Sequence, residues 1–101
     1  MKNERKRRDR LNIIAEVLKI AKDGSLKTQI MYNANLSFAQ LNEYLSFLMR
    51  MNLLKIEKEE KKIVYKITAK GEKYLESYKE ISSLVHTNEK RAVRANLGTL
   101  H

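Results

Sequence analysis

The spacing of apolar residues changes twice along this chain, and these changes constrain its fold more than any other sequence feature. From Leu11 to Lys22, apolar residues recur three and four positions apart, which is the period of an amphipathic helix. After Asn52 the spacing becomes two, which is typical of strands. After Thr68, which we expect to cap a last helix, the helical period returns. The sequence therefore predicts a short β-hairpin between helical segments.

Local signals define the first two helices. Asp9 is a suitable N-cap residue for the first helix, and Gly24 ends it because glycine adopts the left-handed conformation without strain. A shorter second helix is predicted from Leu26 to Ala34, where the apolar residues again share one face. A polar turn then leads into the third helix.

A capping box marks the start of that third helix. Ser37 is followed three residues later by Gln40; in this pattern the serine accepts an N–H of the first turn, and the glutamine accepts the N–H of the serine. We predict a helix from Phe38 to about Met51. Its apolar stripe, which we expect to form core, comprises Phe38, Leu41, Tyr44, Leu45, Leu48 and Met49.

Two strands and a last helix are predicted to follow. The strands lie around Leu54–Ile56 and Ile63–Ile67, and the segment Lys58–Lys62 between them is charged and contains no glycine. Tight hairpin turns favour glycine or asparagine, so we expect a longer loop. The apolar stripe of the last helix ends near Val85, and we expect residues 86–101 to form a basic, frayed or weakly helical tail.

Composition and charge limit the classes of function. The 101 residues carry a net charge of +9 and contain no cysteine, and no apolar run approaches the length of a membrane span. We therefore expect one cytoplasmic domain, residues 9–85, which attracts polyanions. Residues 1–10 hold six cations and two anions. Residues 1–8 are thus read as a nucleic-acid-binding arm, although a solubilising end has the same composition.

The sequence contains no recognisable catalytic or metal-binding motif. The two histidines, His86 and His101, have no carboxylate at ligand spacing, and the three glycines are isolated. Neither a catalytic triad nor a phosphate-binding loop is therefore predicted. We expect a protein that is not an enzyme and that uses no cofactor, metal or small-molecule ligand.

The predicted elements follow the order helix, helix, turn, helix, hairpin, helix, and several of them contain local motifs. Four segments carry them: Lys27–Ser37, Gln40–Leu45, Asn52–Leu54 and Ile67–Gly71. Together they resemble archaeal winged helix-turn-helix DNA-binding proteins, both small chromatin-associated proteins and transcription regulators. The resemblance covers about residues 9–85. Asn52 stands where the family usually has glycine, a small change because asparagine tolerates the left-handed conformation.

The resemblance implies a mainly α fold with a small β-hairpin wing and a C-terminal helix. Residues 38–51 would form the recognition helix, the wing would contact the DNA backbone, and the last helix would form a dimer. The expected partner is double-stranded DNA, bound by a nucleoid-associated transcription regulator or architectural protein. A protein–protein interaction module on the same scaffold is the alternative. RNA binding ranks lower because no aromatic platform on a sheet is evident.

The candidate DNA-contacting residues fall into four groups. The N-terminal cationic cluster contributes Arg5, Lys6, Arg7, Arg8 and Arg10; the second helix contributes Lys27, Thr28, Gln29, Tyr32 and Asn33; the recognition helix with its cap contributes Ser37, Phe38, Gln40, Asn42, Glu43 and Ser46; and the wing contributes Lys58, Lys61 and Lys62. The polar groups of the recognition helix also fit a solvated face, and for Ser37 and Gln40 we favour capping. The wing lysines also fit an ion-paired, soluble hairpin. No Arg or Lys precedes Arg50 in this helix, so the commonest guanine contact is missing and we expect weak sequence preference.

The last helix is apolar over more of its circumference than packing on one domain requires. The surplus predicts a two-fold dimer interface, and packing against the first helix is the alternative. The residues assigned to this interface are Tyr74, Leu75, Tyr78, Ile81, Leu84 and Val85.

Overall fold

Helices and a β-hairpin follow one another in the predicted order. The computed structural model describes residues 9–99, with side chains described for residues 9–85. The elements are α1 (Arg10–Ile20), α2 (Lys27–Asn33), α3 (Phe38–Arg50), β1 (Leu54–Glu59), β2 (Lys62–Ile67) and α4 (Ala69–Thr99). The predicted arm, residues 1–8, lies outside the described part of the chain. No helix within the described part is long and apolar enough to cross a bilayer.

Side-chain caps begin α1 and α4 where the sequence predicts them. The Asp9 Oδ1 atom accepts a hydrogen bond from the Asn12 N–H at 2.8 Å. The Thr68 Oγ1 atom accepts one from the Gly71 N–H at 2.9 Å. Each bond satisfies a backbone donor that has no partner within its helix.

Three residues in the left-handed conformation reverse the chain between elements. Gly24 follows α1 with a φ of 98°, Asn35 lies between α2 and α3 with a φ of 56°, and Asn52 follows α3 with a φ of 62°. Asparagine is enriched among non-glycine residues of this conformation. Asn52 therefore adopts the left-handed conformation expected at this position.

The core lies where α1, α2 and α3 meet the base of the hairpin and the start of α4. Its most completely buried large side chains are Leu18, Ile30, Leu41, Leu48, Leu54 and Val17. Tyr44 and Leu45 are buried as predicted, but Phe38 is 64% exposed and Met49 is 36% exposed. Phe38 precedes the first buried turn of α3, and Met49 lies about 100° around the helix from Leu48. Spacing alone therefore assigned both residues wrongly to the core.

The hairpin closes with a two-residue turn, so the longer loop predicted from its composition is wrong. The strands pair antiparallel from Leu54 opposite Ile67 to Glu59 opposite Lys62. Glu60, the first residue of the turn, has a φ of 56°. A left-handed non-glycine residue costs about 1–2 kcal/mol. Strand pairing up to the turn offsets this cost.

Only the base of the hairpin belongs to the core. Val64 is buried and Ile63 is exposed, although alternation along β2 places Ile63 on the same face as buried Ile67. Ser25 forms a β-bridge with Tyr65 of β2. The Ser25 N–H donates to the Tyr65 carbonyl oxygen at 2.9 Å, and the Ser25 carbonyl oxygen accepts from the Tyr65 N–H at 2.8 Å. The segment after α1 therefore pairs with the free edge of β2. The turn of the hairpin, between Glu59 and Lys62, lies beyond this contact.

The last helix extends well beyond its apolar stripe. It continues to Thr99, whereas the sequence predicted a frayed or weakly helical tail after Val85. Residues 86–97 contain neither proline nor glycine and include several residues of high helix propensity. The end of an apolar stripe therefore need not be where the helix ends.

Candidate nucleic-acid interface

A short buried turn fixes the orientation of α3 relative to α2. Leu36 is 7% exposed and anchors the turn in the core. Its N–H donates to the Met31 carbonyl oxygen at 3.0 Å, and the N–H of left-handed Asn35 donates to the Tyr32 carbonyl oxygen at 3.2 Å. The turn and its two helices form the helix-turn-helix geometry in which the second helix projects from the surface.

The two faces of α3 differ sharply in burial. Leu41, Leu45 and Leu48 pack into the core. The opposite face lies in solvent and presents Phe38, Ala39, Gln40, Glu43 and Ser46, with Asn42 half-buried at its margin. No described part of the domain covers this outward face, and its size is suited to a groove of a duplex.

The capping box at the start of α3 is confirmed. The Ser37 Oγ atom accepts a hydrogen bond from the Gln40 N–H at 3.1 Å, and the Gln40 Oε1 atom accepts one from the Ser37 N–H at 2.9 Å. Bidentate recognition of adenine uses the amide oxygen of a glutamine as well as its nitrogen. Gln40 would therefore have to leave the cap to read adenine in that way.

A glutamine also caps the start of α2. The Gln29 Oε1 atom accepts a hydrogen bond from the Leu26 N–H at 2.8 Å, so this predicted DNA contact is also occupied in capping. Thr28, Tyr32 and Asn33 are exposed, with Tyr32 at 84%. These three residues are the polar side chains that α2 leaves free on the same surface as the turn.

A cation lies over an aromatic ring where α2 meets the start of α3. The Lys27 Nζ atom is 5.5 Å from the centroid of the Phe38 ring. A cation at this distance is attracted to the ring face. Both residues were predicted to contact DNA, but their proximity was not, because they lie eleven positions apart in different helices.

The structure places Arg10 at the other end of α3. Its Cζ atom lies 5.6 Å from the centroid of the Tyr44 ring and 5.7 Å from that of Phe47. The Cζ atom of Arg50 lies 5.9 Å from the same Phe47 ring. Phe47 is nine positions after Phe38, or about 13 Å along the helix. Lys27 and Arg10 therefore lie at opposite ends of the candidate recognition helix.

The wing lysines are exposed, and the ion pairs described in the hairpin involve other residues. Among the residues described, Glu57 lies 3.2 Å from the Lys55 ammonium group and 4.0 Å from that of Lys66. The three predicted phosphate contacts, Lys58, Lys61 and Lys62, have no carboxylate within 4.0 Å in this part of the structure. Ion pairing of these three lysines, the alternative that the sequence left open, is therefore not seen among the residues that the structure describes.

Tyr74 and Tyr78, which were assigned to the dimer interface, are half-buried and contact α1. The Tyr74 hydroxyl donates to the Leu11 carbonyl oxygen at 3.3 Å, and the Asn12 amide nitrogen donates to the Tyr78 hydroxyl at 3.1 Å. The two rings are nearly parallel, with centroids 6.4 Å apart. Burial raises the pKa of Tyr74, with smaller contributions from Tyr78 and Asp9.

The assignment of Leu75 to a dimer interface is corrected, because Leu75 is 6% exposed and belongs to the core of its own domain. The three later residues of the predicted interface, Ile81, Leu84 and Val85, are exposed by 60%, 64% and 50%. Ile81 and Val85 line an apolar groove together with Leu11, which is 56% exposed. Leu11 was missed because its spacing places it on the buried stripe of α1.

Comparisons with known proteins agree with this geometry. A family model described as winged helix-turn-helix matches residues 7–86. The chain is 32% identical over 87 residues to an uncharacterized protein of Methanocaldococcus jannaschii, spanning 85% of this chain and 86% of the relative.

Two solved structures show the same fold. One is Sso10a-2, a DNA-binding protein from Sulfolobus solfataricus, with a TM-score of 0.69 and 21% identity, covering 86% of this chain and 95% of the other. The second is MepR of Staphylococcus aureus in a DNA complex, with a TM-score of 0.65 and 19% identity, covering 88% of this chain and 76% of the other.

Proposed function

Because the chain belongs to the winged helix-turn-helix family, we propose that it binds double-stranded DNA as a transcription regulator or an architectural protein. In this proposal α3 enters the major groove, and the wing and the N-terminal arm contact the phosphate backbone. The similarity in fold to proteins named as DNA-binding or bound to DNA supports this assignment.

The observation that carries the proposal is the exposed outer face of α3. The buried turn at Leu36 holds this helix so that its outer face lies in solvent beside the exposed part of α2. A major groove about 12 Å wide admits one α-helix. A free helix face set at the surface by a helix-turn-helix is suited to this groove.

Cationic and polar groups on both sides of α3 are the proposed backbone contacts. Lys27 and Thr28 begin α2, beside the start of α3. Lys58, Lys61 and Lys62 are exposed on the wing and lack ion pairs among the described residues. Phosphate contacts position a protein on DNA and carry no sequence information. The residues of the arm would add the strongest cluster of cations.

A homodimer through α4 completes the proposal. Ile81, Leu84 and Val85 recur three and four positions apart, so they share one exposed face of α4. Leu11 extends that apolar face onto α1. A second copy that packs on this face would place two recognition helices on one duplex, and the operator would then have two-fold symmetry.

Salt-dependent binding is the experiment that tests the DNA-binding proposal. The protein is titrated into a fluorescent random-sequence duplex at several salt concentrations, and binding is followed by anisotropy. We expect the logarithm of the binding constant to fall by about 0.9 per phosphate contacted for each logarithmic unit of salt. Lys58→Gln should reduce that slope by about 1, whereas Lys79→Gln, on the exposed surface of α4, should leave it unchanged.

The absence of binding at low salt, both to this duplex and to a pool of random sequences after selection, would contradict the proposal and leave the protein–protein interaction module. Footprinting on genomic fragments separates the two DNA-binding roles. One protected site supports a regulator, and uniform protection supports an architectural protein.

A further inference from the structure

We propose that Phe38 contacts the 5-methyl group of thymine in the major groove, an inference that rests on the proposed DNA binding and deepens it. Recognition at the start of α3 is then apolar, and it favours thymine over bases that lack a methyl group at this position. The protein gains sequence preference although α3 has no Arg or Lys before Arg50.

The position and exposure of Phe38 are the first support. It is the first residue of α3, and the N-terminal residues of a recognition helix contact base edges. Its side chain is 64% exposed, although a phenylalanine ring is usually buried. An exposed aromatic ring at the end of the helix that enters the groove leaves apolar surface available for a contact outside this domain.

The ring is also held in place from one side. The Lys27 ammonium group lies 5.5 Å from the ring centroid, and it comes from the neighbouring helix of the motif. This cation–π contact favours the observed position of the ring. The remaining surface of the ring is preorganised for a contact, so less conformational entropy is lost on binding.

The acceptor oxygens of the nearby polar side chains are occupied, which favours apolar contact at this turn. Ser37 and Gln40 bond to each other's backbone in the capping box. Ala39, which is also exposed at the start of α3, has no hydrogen-bonding side chain. Glu43 lies five positions after Phe38, about 7.5 Å along the helix, and therefore faces a different base pair. Phenylalanine is one of the residue types that contact the thymine methyl group.

Thymine and uracil differ only by this methyl group, which gives a direct test. The full-length protein is titrated by anisotropy into an alternating A·T duplex and into the same duplex with deoxyuridine in place of thymidine. Burial of one methyl group predicts about four-fold tighter binding to the thymine duplex for each contacted base. A G·C duplex should likewise bind more tightly when its cytosines carry a 5-methyl group.

Variants assign the effect to the ring. Phe38→Ala should bring the ratio of the two binding constants close to one, because it removes the ring while leaving the capping box. Tyr32→Ala, the matched control at an exposed aromatic residue of α2, should change binding to both duplexes equally and leave the ratio unchanged. Circular dichroism melting checks that both variants fold.

The outcomes separate this inference from the proposed function. Equal binding of the wild type to the two duplexes overturns methyl recognition and leaves DNA binding intact. A thymine preference that persists in Phe38→Ala overturns the assignment to Phe38. The absence of binding to every duplex overturns the proposed function itself.

Discussion

Replacing Gly71 by alanine should destabilise the fold, although the same change inside a helix normally stabilises it. Gly71 lies in the first turn of α4 and is buried where that helix crosses the segment between α3 and β1. A Cβ atom at this position would overlap the Leu53 carbonyl oxygen and lie 2.7 Å from the Ile67 Cγ1 atom. The obstructing oxygen belongs to the backbone, so no side-chain rotation relieves the overlap.

The magnitude follows from two opposing terms. Alanine in place of glycine within a helix contributes about 0.5–1 kcal/mol of stability. Forcing an extra methyl group into a packed site costs about 1–3 kcal/mol, and more where the neighbours cannot move. The Leu53 oxygen also accepts the Thr68 N–H at 3.1 Å, so displacing it weakens the start of α4. Because the obstructing oxygen belongs to the backbone, we take the upper end of this cost, about 3 kcal/mol, and expect a net loss of about 2 kcal/mol in the free energy of unfolding.

Urea unfolding followed by circular dichroism measures this loss, and thermal unfolding should show Tm lower by about 4–8 °C for each kcal/mol. Lys73→Ala, at an exposed position of the same helix, is the control and should change stability by less than about 0.5 kcal/mol. A Gly71→Ala protein as stable as the wild type, or more stable, would refute the close approach of α4 to this backbone.

Three further changes test the caps, the turn and the packing of α4. Ser37→Ala removes half of the capping box and should lower the free energy of unfolding by about 1 kcal/mol in urea titrations, while Ser46→Ala on the exposed face should have little effect; equal losses would contradict the role of the cap. Glu60→Asn should raise stability by up to about 1 kcal/mol, because asparagine adopts the left-handed conformation more readily, and Glu59→Asn within β1 should not. A destabilised Glu60→Asn protein would count against the two-residue turn. Burial raises the pKa of Tyr74 above 10.0, so the folded state holds the phenol proton more tightly than the unfolded chain does. The stability from this group is complete below pH 10 and is lost as the pH rises through the folded-state pKa. Urea titrations above pH 10 should therefore show a steeper loss for the wild type than for Tyr74→Phe, and parallel profiles would exclude this cause.

The sequence by itself determined the elements and most of their boundaries. Asp9, Ser37 and Thr68 begin their helices where predicted, and Asn52 adopts the left-handed conformation that ends α3. These signals act between residues that lie within about four positions of each other, so they are legible before any tertiary contact forms. The change of apolar spacing after Asn52 depends on the same local periodicity.

Only part of the candidate interface could be predicted from the sequence. The sequence identified the outer face of α3 and the exposed residues of α2, since both follow from the periodicity of one helix. It did not show that Phe38 is exposed, that Lys27 lies over its ring, or that Arg10 lies at the opposite end of α3. Each of these facts depends on where α1 and α2 lie relative to α3, which the local pattern of one helix does not show.

Tertiary structure alone decided the remaining features. Leu75 and Ile81 belong to the same apolar stripe of α4, yet Leu75 is buried in the domain and Ile81 is exposed, because α4 extends past the end of α1. Glu60 occupies a left-handed turn because the two strands pair up to it. Periodicity states which side of an element is apolar, but burial depends on how far the neighbouring element reaches, and that distance is set only when the whole chain packs.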